Sequence, residues 1–262
     1  MRWILVLVCL ATTACSSGFF RVSQEEYRER VQTLGVVPIL VDADSNFKHP
    51  ERSELVALLR RHNDGKLEQL VETLRAEKGY FDVRPVQSGA ASSLHRLLDR
   101  SQRLESGNRT YRSYSFDPQE VAKLASREVV DALLVTVMYG ERRREKRWER
   151  NAVPTSYLET DYNVVAVTSA VVTPEGEVLW EFPGMTEGPF LHLQYPAFDE
   201  AHFNHREEVR VRNITIEGLD RALSEAGKGL FGRDGFPRRY RDLFEDIATS
   251  LDPGLAPKGG EN

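Results

Sequence analysis

VVDALLVTVMYG (residues 129–140) and TDYNVVAVTSAVVTPEGEVLWEF (160–182) decide the fold. The first is the most apolar run beyond the amino-terminal segment and reads as a central strand. The second is a long β-branched strand (160–173), a tight turn at Pro174-Glu175-Gly176, and a hairpin partner at 177–182. Strand side chains alternate, so Val178 and Trp180 are expected on one face of that partner and Leu179 on the other.

Working outward, Ser23 followed by Glu26 forms a capping box that opens a short helix over 23–34. GVVPILVDAD (35–44) reads as a buried strand, with Pro38 pointing to an edge or a strand start. Leu55, Val56, Leu58, Leu59, Leu67, Leu70, Val71 and Leu74 carry a helical period over 53–78. HNDG (62–65) interrupts that period and Gly79 stops it. YFDVRPV (80–86) is the next strand. Residues 88–116 are polar and weakly patterned, with a helix expected over 91–104 from Leu94, Leu97 and Leu98. Asp117, Pro118 and Glu120 then open a helix that runs to about Arg127. On the carboxyl side, ERRREKRWER (141–150) is expected to break the apolar strand as a charged loop. Residues 183–212 read as a long irregular connection, and two helices follow at 216–230 and 237–251.

The order β, α, β, α, β, hairpin, helices defines an α/β fold. The expected sheet is mixed, with a βαβ-type first half, an antiparallel hairpin in the second half, and helices packed on it, including the C-terminal helices. The expected division is a targeting segment (1–14), an anchor, linker and short helix (15–34), one α/β domain (35–251) and a disordered tail (252–262). The 262 residues suffice for one large domain with a core. With 40% hydrophobic and 29% charged residues the composition is that of a soluble globular chain. A net charge of −5 argues against general nucleic-acid binding.

Cysteine usage points to a compartment. The only two cysteines are Cys9 and Cys15, so the body of the chain holds neither a disulfide framework nor a zinc–thiolate site. Arg2 precedes an apolar run from Trp3 to Ala11, too short to span a bilayer, which takes about 20 helical residues. Thr12, Thr13 and Ala14 are small, and Ser16, Ser17 and Gly18 make a flexible start after Cys15. This stretch resembles the lipobox of bacterial lipoproteins, in which the peptidase cuts before a diacylated cysteine. It departs at Thr12, where Leu is preferred. The alternatives are an ordinary secretory signal with an incidental cysteine, or thiol chemistry at Cys15, which lacks an evident activating partner. The resemblance implies palmitate-type acylation of Cys15 and an anchor on the membrane. With Ser16 after the cysteine, it implies the outer membrane, facing the periplasm.

A second resemblance covers about residues 35–183. VVPILVDAD, Tyr80-Phe81-Asp82-Val83, Val130-Asp131-Ala132-Leu133 and Pro174-Glu175-Gly176-Glu177-Val178-Leu179-Trp180 are similar to the series found in envelope lipoproteins with a domain like CsgG or the amino-terminal domain of TolB. It implies fold and compartment and carries no catalytic residue. The pore-forming members have extended amphipathic hairpins; no such alternating segment is evident in this sequence, so a secretion pore is not expected.

Three constellations remain. HLQYPAFDEAHFNH (192–205) gathers His192, His202 and His205 with Asp199, a candidate metal set, although its spacing matches no strong zinc template. The bland alternative is a surface loop packed by its aromatics. Arg143, Arg144, Arg147 and Trp148 in the charged run could touch anionic envelope groups, or simply form a solvated hairpin tip. Asp42 and Asp44, with Ser45 and Asn46, follow the first strand where α/β folds place ligand groups, or cap the next helix. No glycine-rich phosphate loop and no G-x-S-x-G elbow occurs. The sequence therefore favours a non-catalytic envelope protein that binds a protein partner or a cell-envelope component, with no cofactor. The competing reading is a metal-dependent hydrolase built on the 192–205 segment.

Overall fold

The computed structural model describes residues 19–76, 79–87, 94–106, 109–149, 157–185, 188–198, 210–226 and 235–251. Cys15, the targeting segment, Asp199, His202, His205 and the tail lie outside the described residues.

A seven-stranded mixed sheet forms the centre. Its strands are β1 (Thr33–Val36), β2 (Leu40–Val41), β3 (Asp82–Pro85), β6 (Ala132–Trp148), β7 (Tyr157–Val172), β8 (Val178–Phe182) and β9 (Leu191–His192). The order across it is β3-β1-β6-β7-β8, with β2 continuing β1 along β6 and β9 continuing β8 along β7. β1 pairs in parallel with β3 and β6, while β6, β7 and β8 are antiparallel. The mixed α/β architecture expected from the sequence is the one observed. Pro38 lies in the break between β1 and β2, two residues ahead of β2, which pairs with β6 alone.

The step from β1 to β3 and the step from β3 to β6 cross the sheet in opposite directions. Right-handed crossovers therefore put their connections on opposite faces. On one face lie α2 (Arg52–Asn63) and α3 (Leu67–Ala76), joined by the C-terminal helices α5 (Ile216–Ser224) and α6 (Arg238–Leu251). Leu55, Leu59, Leu74, Leu219, Phe244 and Ile247 pack there against Leu34, Met138, Val167 and Trp180. On the other face α4 (Pro118–Glu128), capped by Asp117 through the Gln119 and Glu120 amides, covers Val135, Val137 and Ala170.

Residues 19–34 belong to this core, so the domain starts before the expected boundary at 35. The segment from Phe19 to Arg21 lies along β8: Arg21 N–H donates to Leu179 O at 2.8 Å and Glu181 N–H to Phe19 O at 2.8 Å. Helix α1 (Gln24–Arg30) buries Tyr27, whose hydroxyl meets that of Tyr80 at 2.7 Å.

Two segments differ from expectation. The helix expected over 91–104 is a single 3₁₀ turn, His95–Leu97, followed by a hairpin of β4 (Leu98–Ser106) and β5 (Arg109–Phe116). The Leu94/Leu97/Leu98 spacing describes only that turn. Beyond it Tyr111, Ser113 and Ser115 alternate with Arg112, Tyr114 and Phe116 across β5, and aromatic and hydroxyl side chains favour strands. The charged run is likewise no loop over residues 141–148. β6 continues through it to Trp148, paired residue by residue with β7 from Trp148↔Tyr157 to Glu141↔Val164. Both are extended hairpins, which the sequence did not disclose. Within 183–212 the short strands β9, β10 (Gln194–Pro196) and β11 (Val211–Asn213) interrupt the irregular chain. Helix α5 ends at Ser224 rather than near residue 230.

In β8 the register slips between Val171 and Val172, leaving an extra residue at Leu179. The bulge breaks the alternation, so Val178 packs on the α4 face while Leu179 and Trp180 both enter the α2–α3 side, correcting the shared face expected for Val178 and Trp180.

Candidate functional site: two clefts beside a standing hairpin

The β4–β5 hairpin does not lie flat on the sheet. The Arg112 N–H of β5 donates to Tyr139 Oη at 2.9 Å, and the Arg112 carbonyl accepts from Thr168 Oγ1 at 2.7 Å. The outer edge of β5 is thus fastened to side chains of β6 and β7. β5 is mostly buried, whereas β4 is mostly exposed. The hairpin stands on edge and divides that face of the sheet into two clefts.

The first cleft, about 290 Å³, opens at the end of β2 and includes Asp42, Asp44, Arg60, His95, Asp99 and Tyr114. Asp42 is fixed from two sides: Oδ2 accepts from Tyr114 Oη at 2.8 Å and Oδ1 from the Asp44 N–H at 3.2 Å. Burial first, and then the Asp42 charge, raise the Tyr114 hydroxyl far above the ordinary tyrosine range. Burial, with Arg60 nearby, lowers His95 below the usual imidazole value despite Asp42 and Asp44. The Asp42–Asn46 turn sits on β6: Ser45 Oγ donates to Asp42 O and accepts the Gly140 N–H at 2.8 Å. Among the described residues no three His, Cys, Asp or Glu side chains are grouped to hold a metal; the Asp42 carboxylate accepts hydrogen bonds, and Asp44 takes part through its backbone N–H.

The second cleft, about 600 Å³, lies on the other side of the hairpin, toward β8. Its floor holds Glu181, only 4% exposed. Glu181 Oε2 accepts from the Arg21 guanidinium and from Tyr111 Oη, the latter at 3.3 Å. The alternating pattern of 98–116 was the sequence signal for both clefts, hidden by its polarity.

The residues expected to form a contact surface lie on the far half of the β6–β7 hairpin. Arg143 pairs with Glu141 at 2.8 Å, Arg144 with Glu159 at 3.2 Å, and Arg147 with Glu145 at 3.0 Å. Arg142 pairs with Asp161. The basic look of ERRREKRW is therefore offset by carboxylates of its own strand and of β7. Trp148 stays half exposed beside Tyr157, ring centroids 5.0 Å apart, with the Lys146 ammonium over both rings. Of the candidate metal set only His192 is described, and its Nε2 meets the Glu145 carboxylate at 3.1 Å.

No family model matches the chain, and no curated protein matches it. Among solved structures it is similar to a neuraminyllactose-binding hemagglutinin homolog from Helicobacter pylori, at 11% identity over 84% of this chain and 86% of that one, with a TM-score of 0.38. So distant a likeness supports no functional argument.

Proposed function

We propose that this is a bacterial envelope lipoprotein of the kind with a CsgG-like or TolB amino-terminal-like domain. Lipid on Cys15 anchors it, at the outer membrane and facing the periplasm. It works by binding a protein partner or an envelope component rather than by catalysis. The observation that carries the reading is the small-residue run Thr12-Thr13-Ala14 before Cys15, placed a few residues ahead of Phe19, where the chain joins the sheet. No described helix is long and apolar enough to cross a membrane, so a lipid would supply the attachment, each buried CH₂ contributing about 0.8 kcal/mol.

Binding is preferred to hydrolysis because the sequence offers no G-x-S-x-G elbow and the 192–205 spacing matches no strong zinc template. The test is incorporation of labelled palmitate into the wild-type chain and into Cys15→Ala. Label in the first and unprocessed, unlabelled precursor in the second are expected. A wild-type chain without label would end the anchor reading. Stoichiometric metal in the purified protein, lost in His202→Ala, would replace binding with the hydrolase reading.

A further inference from the structure

Glu181 is a buried carboxylate with half of its hydrogen bonding in place. Its side chain is 3% exposed, Oε2 is taken by Arg21 and Tyr111, and Oε1 is buried without a hydrogen-bond partner among the described residues. A buried carboxylate oxygen left unpaired is costly and calls for a donor. The Arg21 guanidinium already balances the charge, so the missing group is a donor and not a cation.

The cleft above this carboxylate has a matching chemistry. Register places Gln102 opposite Ser113 and Arg100 opposite Ser115, which sets these side chains on one face of the hairpin together with Leu104 and Tyr111. That face and the β7–β8 turn enclose the cleft, with Gly176 and Val178 on the opposite wall. Hydroxyl and amide side chains both donate and accept, as a hydroxylated ligand requires. Leu104 and Val178 supply apolar surface for the C–H side of a ring. Arg21 is paired with Glu181, and Arg100 lies 3.6 Å from Asp99 with its side chain largely in solvent. The volume, about 600 Å³, is of the size that takes a small molecule.

We propose that this cleft binds a neutral saccharide unit, one of whose hydroxyls donates to Glu181 Oε1. The site rests on the binding reading above and gives its envelope component a chemical class; the cleft itself exists whether or not Cys15 is acylated.

The test is calorimetric or saturation-transfer NMR titration of the purified full chain with glucose, N-acetylglucosamine and chitobiose. Glucosamine and glucuronate serve as cationic and anionic arms. At least one neutral sugar should bind at millimolar or lower concentration. Gln102→Trp, on the exposed strand, should fill the cleft, weaken binding at least tenfold and leave the melting temperature unchanged. Glu181→Gln should weaken binding by a similar factor; if it fails to fold, Gln102→Trp decides alone. Absence of neutral-sugar binding, binding by only one charged arm, or full binding by Gln102→Trp would overturn the assignment. Palmitate labelling of the same preparation reports separately on the anchor, so loss of the sugar site and loss of the lipoprotein reading are distinguishable.

Discussion

Gly140 lies directly beneath the backbone of Phe47: a Cβ built on it would stand 2.3 Å from the Phe47 nitrogen and 2.5 Å from the Asn46 carbonyl carbon. Backbone cannot swing aside as a side chain can. Gly140→Ala should therefore lift the 42–47 turn off β6 and break the bond from the Gly140 N–H to Ser45 Oγ. A loss of about 3 kcal/mol in urea unfolding is expected, at the upper end for overpacking. The first cleft should open with it, releasing Tyr114 from Asp42. An unfolding midpoint equal to wild type would mean that the turn yields freely.

Trp180 is fully buried, stacks on Phe182 and donates its indole N–H to Ser250 O at 3.1 Å. Trp180→Ala should cost roughly 3–5 kcal/mol. Trp180→Phe, which keeps most of the volume and loses the hydrogen bond, should cost less. Equal losses in the two variants would show that ring volume contributes little.

Val129 caps α4 in the left-handed region, at φ 55°, and is 70% exposed. A β-branched residue is strained there by about 1–2 kcal/mol, and Gly is not. Val129→Gly should raise the midpoint of denaturant unfolding, by up to about 1 kcal/mol after the entropy of the glycine is counted. A decrease would reveal that the exposed side chain has a partner.

Glu145 shows a coupled acid response. Burial raises its pKa, but hydrogen bonds and charge from His192 and Arg147 outweigh burial and bring it below the ordinary glutamate value. A carboxylate with a depressed folded-state pKa stabilises the fold above its unfolded pKa, and that contribution fades as pH falls through the folded value. Wild-type stability should thus drop more steeply below about pH 4.5 than that of Glu145→Gln. Parallel pH profiles would remove His192 and Arg147 as its stabilising partners.

The legible parts of the fold were those where apolar period and local signals agree. VVDALLVTVMYG, the PEG turn and the Asp117-Pro118 cap each specify an element without help from distant chain. The 98–116 hairpin was not legible, because β4 is polar and exposed and the buried side chains of β5 are mostly tyrosine and serine, with Tyr114 meeting Asp42 and Tyr111 meeting Glu181 only after folding. The charged half of β6 was hidden for a related reason. Arg142 and Arg144 look like a solvated run until Asp161 and Glu159 of β7 come diagonally across from them, and nothing local in the sequence announces that pairing. Asp42 stood out by its position after a strand. Glu181 did not, since a glutamate inside EVLWEF reads as the solvent-facing member of an alternating strand, and only the covering hairpin buries it.

The pairing of Phe19–Arg21 with β8 also bears on the timing of folding. Arg21 and Glu181 are separated by 160 positions in the chain, and the chain between them holds both parallel partners of β1, β3 and β6. Chain closure over such lengths is slow compared with the formation of the adjacent β6–β7–β8 meander. As the polypeptide emerges amino end first, its opening strand has nothing to join until β8 has been made, and Trp180 waits longer still for Ser250. The molecule is thus built to stay open through most of its synthesis and to close late, from its two ends in turn onto a single strand.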